Sequence, residues 1–259
     1  KYESHVTGFW ECPELFELAV DGNPNNKKWV MYGATGTYML GSFDGKTFIP
    51  ESGKYFYTKG SLYAGQTYTN IPNSDGRRIQ IAWGRISHPS MPFNGMMLLP
   101  TELTLHTTKE GIRLFSNPIK ETKQLFTPLK KWASLTSDKA NDHLKEFRNA
   151  ETLRIKTTFK LSHATSAGID LFGQRILDYD MNANTINSVF YSPEDRNSME
   201  LTADIYIDKT SIEVFIDGGI YSYSMGRKAA NNKQDGNRFW GNNIAVKNLE
   251  IFSVKSIWN

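Results

Sequence analysis

The sequence predicts an all-β protein, and three features predict it. Aromatic residues make up 13% of the chain, short runs alternate apolar and polar side chains, and Asp-Gly or Glu-Gly pairs punctuate those runs. The alternation is clearest in the last portion. There Leu153, Ile155, Thr157, Phe159 and Leu161 interleave with Arg154, Lys156, Thr158 and Lys160, giving a strand with one wet face. Leu201, Ala203, Ile205 and Ile207 repeat the device, as do Ile212, Val214 and Ile216 ahead of Asp217-Gly218-Gly219. Several such strands need a second sheet over their apolar faces, so residues 146–259 are expected to form a β-sandwich.

Residues 1–118 read as consecutive antiparallel strands. Thr37 to Phe43 runs into Asp44-Gly45, a hairpin signal because two left-handed turn residues match the strand twist. Asp75-Gly76 and Glu110-Gly111 break up the following segments in the same way. From about Ser116 to Ala150 the alternation lapses. Pro118 and Pro128 interrupt it, and Lys130-Lys131 with Asp138-Lys139 are polar, so residues 119–145 are expected to be a linker. One short helix is expected within Asp138 to Arg148, where Leu144 and Phe147 fall on one side.

Composition excludes several classes of function. A chain of 259 residues with 39% hydrophobic side chains can build one large or two ordinary domains. Its 30 basic and 27 acidic residues are interspersed, so neither nucleic acid nor an anionic membrane is an expected partner. No apolar run approaches the roughly 18 residues of a membrane span. Cys12 is the single cysteine, which rules out an intrachain disulfide, and without a histidine close behind it a small buried thiol is the better reading.

The five histidines, His5, His88, His106, His143 and His163, lack metal-ligand spacing, and no Gly-x-Ser-x-Gly elbow occurs. Asp178, Asp180, Asn182 and Asn184 imitate a calcium loop. The glycine and glutamate that such a loop needs at its sixth and twelfth positions are Ala183 and Val189 here, so a strand leading into a turn is expected instead. No metal and no cofactor are expected.

Candidate chemistry lies in Phe9-Trp10-Glu11-Cys12-Pro13. If Trp10 to Leu15 is extended, Glu11 and Pro13 point one way while Trp10, Cys12 and Glu14 point the other. A carboxyl against an indole, with a second carboxylate nearby, is pushed towards its neutral form, which is how a glutamate becomes a general acid. On these residues alone, an ordinary solvated glutamate on an edge strand is the competing reading.

The wider pattern continues as Glu14-Leu15-Phe16, Lys28-Trp29-Val30-Met31-Tyr32-Gly33 and Tyr38-Met39-Leu40-Gly41-Ser42-Phe43-Asp44-Gly45. It goes on through Tyr63-Ala64-Gly65-Gln66-Thr67-Tyr68, Arg77 to Gly84, Leu99-Pro100-Thr101-Glu102-Leu103 and Ser211 to Gly218. Taken together, this resembles the invertase, levanase and inulinase group, glycoside hydrolase family 32. The resemblance implies a five-bladed β-propeller followed by a β-sandwich, with residues 1–118 as the later blades. It implies hydrolysis of fructans such as levan or inulin, or of sucrose, with retention and with Glu11 as acid/base. Tyr63, Gln66 and Trp83, with Trp10 beside Glu11, are the candidates for lining the sugar site, since rings pack on sugar faces and amides bond hydroxyls. Propeller core is their competing role.

The family's nucleophile motif, of Asn-Asp-Pro-Asn-Gly type, and its Arg-Asp-Pro motif are absent. The chain is therefore expected to be the C-terminal part of a longer protein, its implied partner being the missing N-terminal blades. Alone it should have little activity and exposed blade faces. Ser61 and Thr101 depart from residues common in the family, an aspartate and an arginine, which leaves the preferred fructan open. An extracellular, periplasmic or cell-surface location follows from the resemblance, as no signal peptide is visible. A rival function is a carbohydrate-binding or structural module, with Trp132, Trp240 or Trp258 as an exposed platform.

Overall fold

A computed structural model describes residues 7–88, 91–161, 166–191, 200–228 and 236–256. The first ten strands are β1 (Glu14–Val20), β2 (Asn23–Tyr32), β3 (Thr37–Phe43), β4 (Phe48–Phe56), β5 (Thr58–Gly60), β6 (Leu62–Thr67), β7 (Arg78–Gly84), β8 (Met96–Met97), β9 (Thr101–Thr108) and β10 (Gly111–Pro118). A 3₁₀ turn (Lys120–Leu125), β11 (Phe126–Thr136) and helix α1 (Ser137–Lys145) follow. The remainder is β12 (Leu153–Leu161), β13 (Ser166–Leu171), β14 (Gln174–Asp180), β15 (Thr185–Ile186), β16 (Val189–Phe190), β17 (Glu200–Ile207), β18 (Ser211–Ile216), β19 (Tyr221–Gly226), β20 (Arg238–Gly241) and β21 (Ile244–Val254). The all-β expectation holds.

These elements form two compact units. The first runs to Lys120 and takes in Gly218–Met225 from far downstream; the second comprises Glu121–Asp217 and the chain from Gly226. In the first unit β1 to β4 pair in succession as an antiparallel array. A second array runs β6-β7-β9-β10, with β8 on β7, and one parallel bridge, Val20 to Leu105, joins the two. The expected hairpin at Asp44-Gly45 is present, its Asp44 carboxylate accepting from the backbone N–H groups of Lys46 and Thr47 at 2.8 and 2.7 Å.

Both faces of the first array are apolar. Val30, Tyr32, Tyr38 and Leu40 belong to one buried cluster, while Met31 and Met39 belong to another with Phe9 and Phe48. This is why Trp29 to Tyr32 does not alternate: a strand covered on both sides is apolar throughout. The late segment joins this unit through β19, which pairs parallel to β5 with Ser222 opposite Thr58 and Ser224 opposite Gly60. Gly60 permits that approach, since a Cβ there would lie 1.9 Å from the Ser224 carbonyl oxygen.

In the second unit β11-β21-β12-β17-β18 lie side by side, and β16-β15-β14-β13-β20 form another sheet. Phe159 of β12 meets Phe239 of β20 edge-on at 5.6 Å, so the apolar faces of the two sheets meet. The stretch 119–145, read from the sequence as a linker, is regular structure instead. β11 pairs with β21 along most of its length, as an edge strand whose side chains are largely solvated. Backbone pairing without a buried face leaves no periodicity to read, and Pro128 sits at the register shift where a missing N–H is tolerated. Helix α1 overlaps the expected stretch, starting one residue earlier and ending at Lys145, with the Thr136 hydroxyl accepting from the N–H of Lys139.

Asp180 ends β14, and its carboxylate accepts from the N–H groups of Asn182 and Ala183 at 2.9 and 3.0 Å, forming the turn that the calcium-like run resolves into. Among the described residues no His, Cys, Asp or Glu cluster could hold a metal ion, and no helix is long and apolar enough to cross a membrane.

Candidate active site

Glu11 is not in a strand. Cys12 takes a left-handed φ of 45°, Pro13 follows, and β1 begins only at Glu14. The extended geometry expected for Trp10 to Leu15 is therefore corrected, because one left-handed residue ends the strict alternation of side chains. What results is a bend, and it is tightly fastened. The Ala34 N–H donates to the Glu11 carbonyl at 3.0 Å, and the Thr37 hydroxyl donates to the Gly8 carbonyl at 2.9 Å. Gly33 packs so closely that a Cβ would lie 1.9 Å from the Gly8 oxygen, so only glycine fits. On this bend Trp10 is 73% exposed and Glu11 is exposed, and the Glu11 carboxyl makes no hydrogen bond or ion pair among the described residues.

Glu14, three residues on, is the opposite case. Its carboxylate accepts from the Tyr32 hydroxyl at 2.6 Å, from the Thr67 N–H at 2.8 Å, and from the Thr67 hydroxyl. Thr67 in turn accepts from Arg78 at 3.2 Å. Tyr32 is fully buried; burial, followed by its bond to Glu14, pushes its phenol well above the ordinary tyrosine value. The neighbouring Tyr57 hydroxyl accepts from the Gln80 amide at 2.8 Å, completing a buried polar layer beneath the bend.

The proposed sugar-lining residues lie on the second array. A register shift falls between Tyr63 and Gln66, with Ala64 at a φ of 49°. The Ala64 N–H donates to the Ala34 carbonyl at 3.0 Å, so this bulge, the Gly33-Ala34 turn and the Glu11 bend form one hydrogen-bonded row. Gln66 extends its amide to 3.5 Å from the Cys12 carbonyl and 3.0 Å from the Gly65 carbonyl. Tyr63 and Trp83 sit opposite each other across the β6–β7 pair, edge to face at 6.3 Å, and the Arg85 guanidinium lies 4.2 Å over the Tyr63 ring. The fold thus brings Gln66 to the Glu11 bend and pairs Tyr63 with Trp83, while Trp10 projects into solvent without joining that pair. Ser61 and Thr101 occupy structural positions: the Ser61 N–H donates to the Ser224 carbonyl at 2.8 Å, and Thr101 is buried opposite Gln80.

Sequence reasoning passed over Glu14, whose role depends on the Cys12-Pro13 turn, and Phe93, which is 54% exposed. The signal for Phe93 was present in Pro92-Phe93-Asn94-Gly95, an aromatic inside a turn sequence. Gly95 lies against Trp83, where a Cβ would be 2.2 Å from the indole nitrogen. In the second unit Trp132 is stacked on His143 at 4.2 Å and Trp240 lies beneath the Arg175 guanidinium at 3.7 Å. Trp258, like His5 and His163, lies outside the described residues.

Residues 1–118, which carry the Glu11 bend and both arrays, match the Glycosyl hydrolases family 32 N-terminal domain. A levanase of Bacillus subtilis (strain 168) is 28% identical over 97% of this chain and 43% of its own length. Residues 1–118 belong to glycoside hydrolase family 32. Other members are similar over long stretches: an extracellular exo-inulinase of Aspergillus niger is 26% identical over 80% of this chain and 48% of its own length. Among solved structures, exo-inulinase from Aspergillus awamori superposes with a TM-score of 0.71 at 19% identity, covering 97% of this chain and 58% of that one. Fructan 1-exohydrolase IIa from Cichorium intybus gives 0.68 at 16%, covering 95% and 62%. These superpositions show a shared fold. The chain spans about half the length of the relatives it matches.

Proposed function

We propose that this chain forms part of a retaining β-fructosidase acting on fructans such as levan or inulin, or on sucrose, with Glu11 as acid/base. The observation that carries this reading is the contrast at the bend: a carboxyl with no partner among the described residues, on backbone that glycine packing and two hydrogen bonds hold in place, beside the Gln66 amide and the exposed Trp10 ring. The two antiparallel arrays are read as later blades of a five-bladed propeller, and the second unit as the appended sandwich.

In this mechanism Glu11 gives its proton to the departing glycosidic oxygen as a carboxylate elsewhere attacks the anomeric carbon. Glu11 then takes a proton from the water that releases fructose. The two carboxyl groups of such enzymes stand about 5–5.5 Å apart. The nucleophile is proposed to come from sequence outside these 259 residues, so the chain alone should hydrolyse little. Tyr63, Trp83 and Trp10 would pack on sugar rings and Gln66 would bond hydroxyls, with Phe93 as an added aromatic surface. Relatives carry the names levanase and extracellular exo-inulinase, which supports a fructan substrate and an exported protein. The rival glycan module is less favoured, because Trp132 and Trp240 each have a ring face covered.

The test is fructose release from inulin, levan and sucrose by the longer protein that contains this chain, beside its Glu11→Gln variant. Activity that collapses in the variant supports the role of Glu11 and names the preferred fructan. An inert parent protein, or a variant that matches it, would remove Glu11 from catalysis.

A further inference from the structure

Glu14 is too well bonded to react and too connected to be incidental. Its carboxylate accepts from Tyr32 and twice from Thr67, 53 residues away in sequence, tying the start of β1 to the end of β6. The same Tyr32 hydroxyl lies 3.1 Å from the Gly65 carbonyl, and Gln66 follows directly. Both ends of this tie are functional segments: one leaves the bend that presents Glu11, and the other carries the amide that reaches back to Cys12. We propose that Glu14 is a positioning residue that fixes the Glu11 carboxyl relative to the Tyr63-Gln66 side of the site; this rests on Glu11 being the acid/base.

Its loss should act on proton donation rather than on folding alone. In Glu14→Gln an amide N–H₂ group replaces one accepting oxygen, so a hydroxyl of Thr67 or Tyr32 must turn from donor to acceptor and the tie loses its charge-assisted bonds; Thr67→Val removes one donor and leaves the N–H contact intact. A displacement of about 1 Å in a reacting group can cost about 100-fold in rate. In the longer protein, kcat/KM of Glu14→Gln on sucrose should fall about 10- to 100-fold. On an aryl β-fructofuranoside with an acidic phenol, whose departure needs little protonation, it should fall no more than about threefold. Thr67→Val should show the same split, smaller. Equal losses on both substrates would mean that Glu14 is merely structural.

Glu11→Gln run alongside separates the two claims. If it shows the split and Glu14→Gln does not, only the positioning role fails; if neither does, the acid/base reading fails first. A second measurement uses this chain itself. Cys12, half-buried between the two glutamates, reports on the bend, and its alkylation by iodoacetamide should speed up about tenfold in Glu14→Gln and less in Thr67→Val. An unchanged rate in both variants would overturn the proposal, whatever the activity of the longer protein.

Discussion

The two units differ in what they leave uncovered. Of the nine large apolar side chains exposed among the described residues, eight lie in the first unit, Trp10, Tyr68, Trp83 and Phe93 among them, and only Leu129 in the second. The second unit pairs several of its charged groups internally. Arg154 is held by Asp204 through two bonds of 2.8 and 2.6 Å and packs among Phe126, Tyr206 and Phe252, while Arg175 and Arg238 share Asp170. An exposed aromatic surface suits a sugar, whereas side chains already paired have little left to offer one. The contrast favours the first unit as the place of the proposed chemistry.

The sharpest way to break that comparison is kinetic. Glu11→Gln should lower fructose release by the longer protein about 10²–10⁴-fold, the usual contribution of general acid–base catalysis, while Trp240→Ala in the second unit leaves the rate unchanged. A rate that follows Trp240 instead would move the site. Next in size is a core substitution. Phe159 is fully buried between the two sheets of the second unit, so Phe159→Ala should cost about 3–5 kcal/mol in denaturant unfolding, with the fluorescence response of Trp83 to fructo-oligosaccharide preserved.

Trp83→Ala should do the reverse. Trp83 is 43% exposed, so the unfolding midpoint should hardly move, while affinity for fructo-oligosaccharide falls by about 1 kcal/mol, or some fivefold; calorimetric titration would measure it. The smallest effect is electrostatic. The hydrogen bond from the Arg77 guanidinium holds the Asp75 carboxyl down to about 2. A carboxyl lowered on folding contributes stability that is fully present above its unfolded value and is lost as pH falls through its folded one. Asp75→Asn should therefore cost a small, constant amount of stability above about pH 4, and the difference from the parent should vanish by about pH 2 in acid-unfolding curves.

Much of the fold was legible because its periodicity is local. β12 and β17 bury chiefly one face, so their alternation appears in the chain, whereas β18 is buried on both faces. β11 was not legible: it is an edge strand held by backbone bonds that any side chain permits. The assignment of Gly218–Met225 to the first unit was equally hidden, because a parallel pairing between residues more than 160 positions apart leaves no local trace. In the site, Glu11 was found through a family pattern, but its setting was misread. The alternation argument assumed an extended Cys12, and the left-handed turn there separates Glu11 from Glu14 by a change of backbone direction rather than by opposite strand faces.

By itself, then, the sequence determined the β class, the sandwich alternation and the identity of the candidate acid, since these depend on residue types a few positions apart. Tertiary structure alone decided which glutamate is bound and which has no partner among the described residues. That depends on Thr67, Tyr32 and Gly33 arriving from other strands, and a carboxylate's role is set by the donors that reach it.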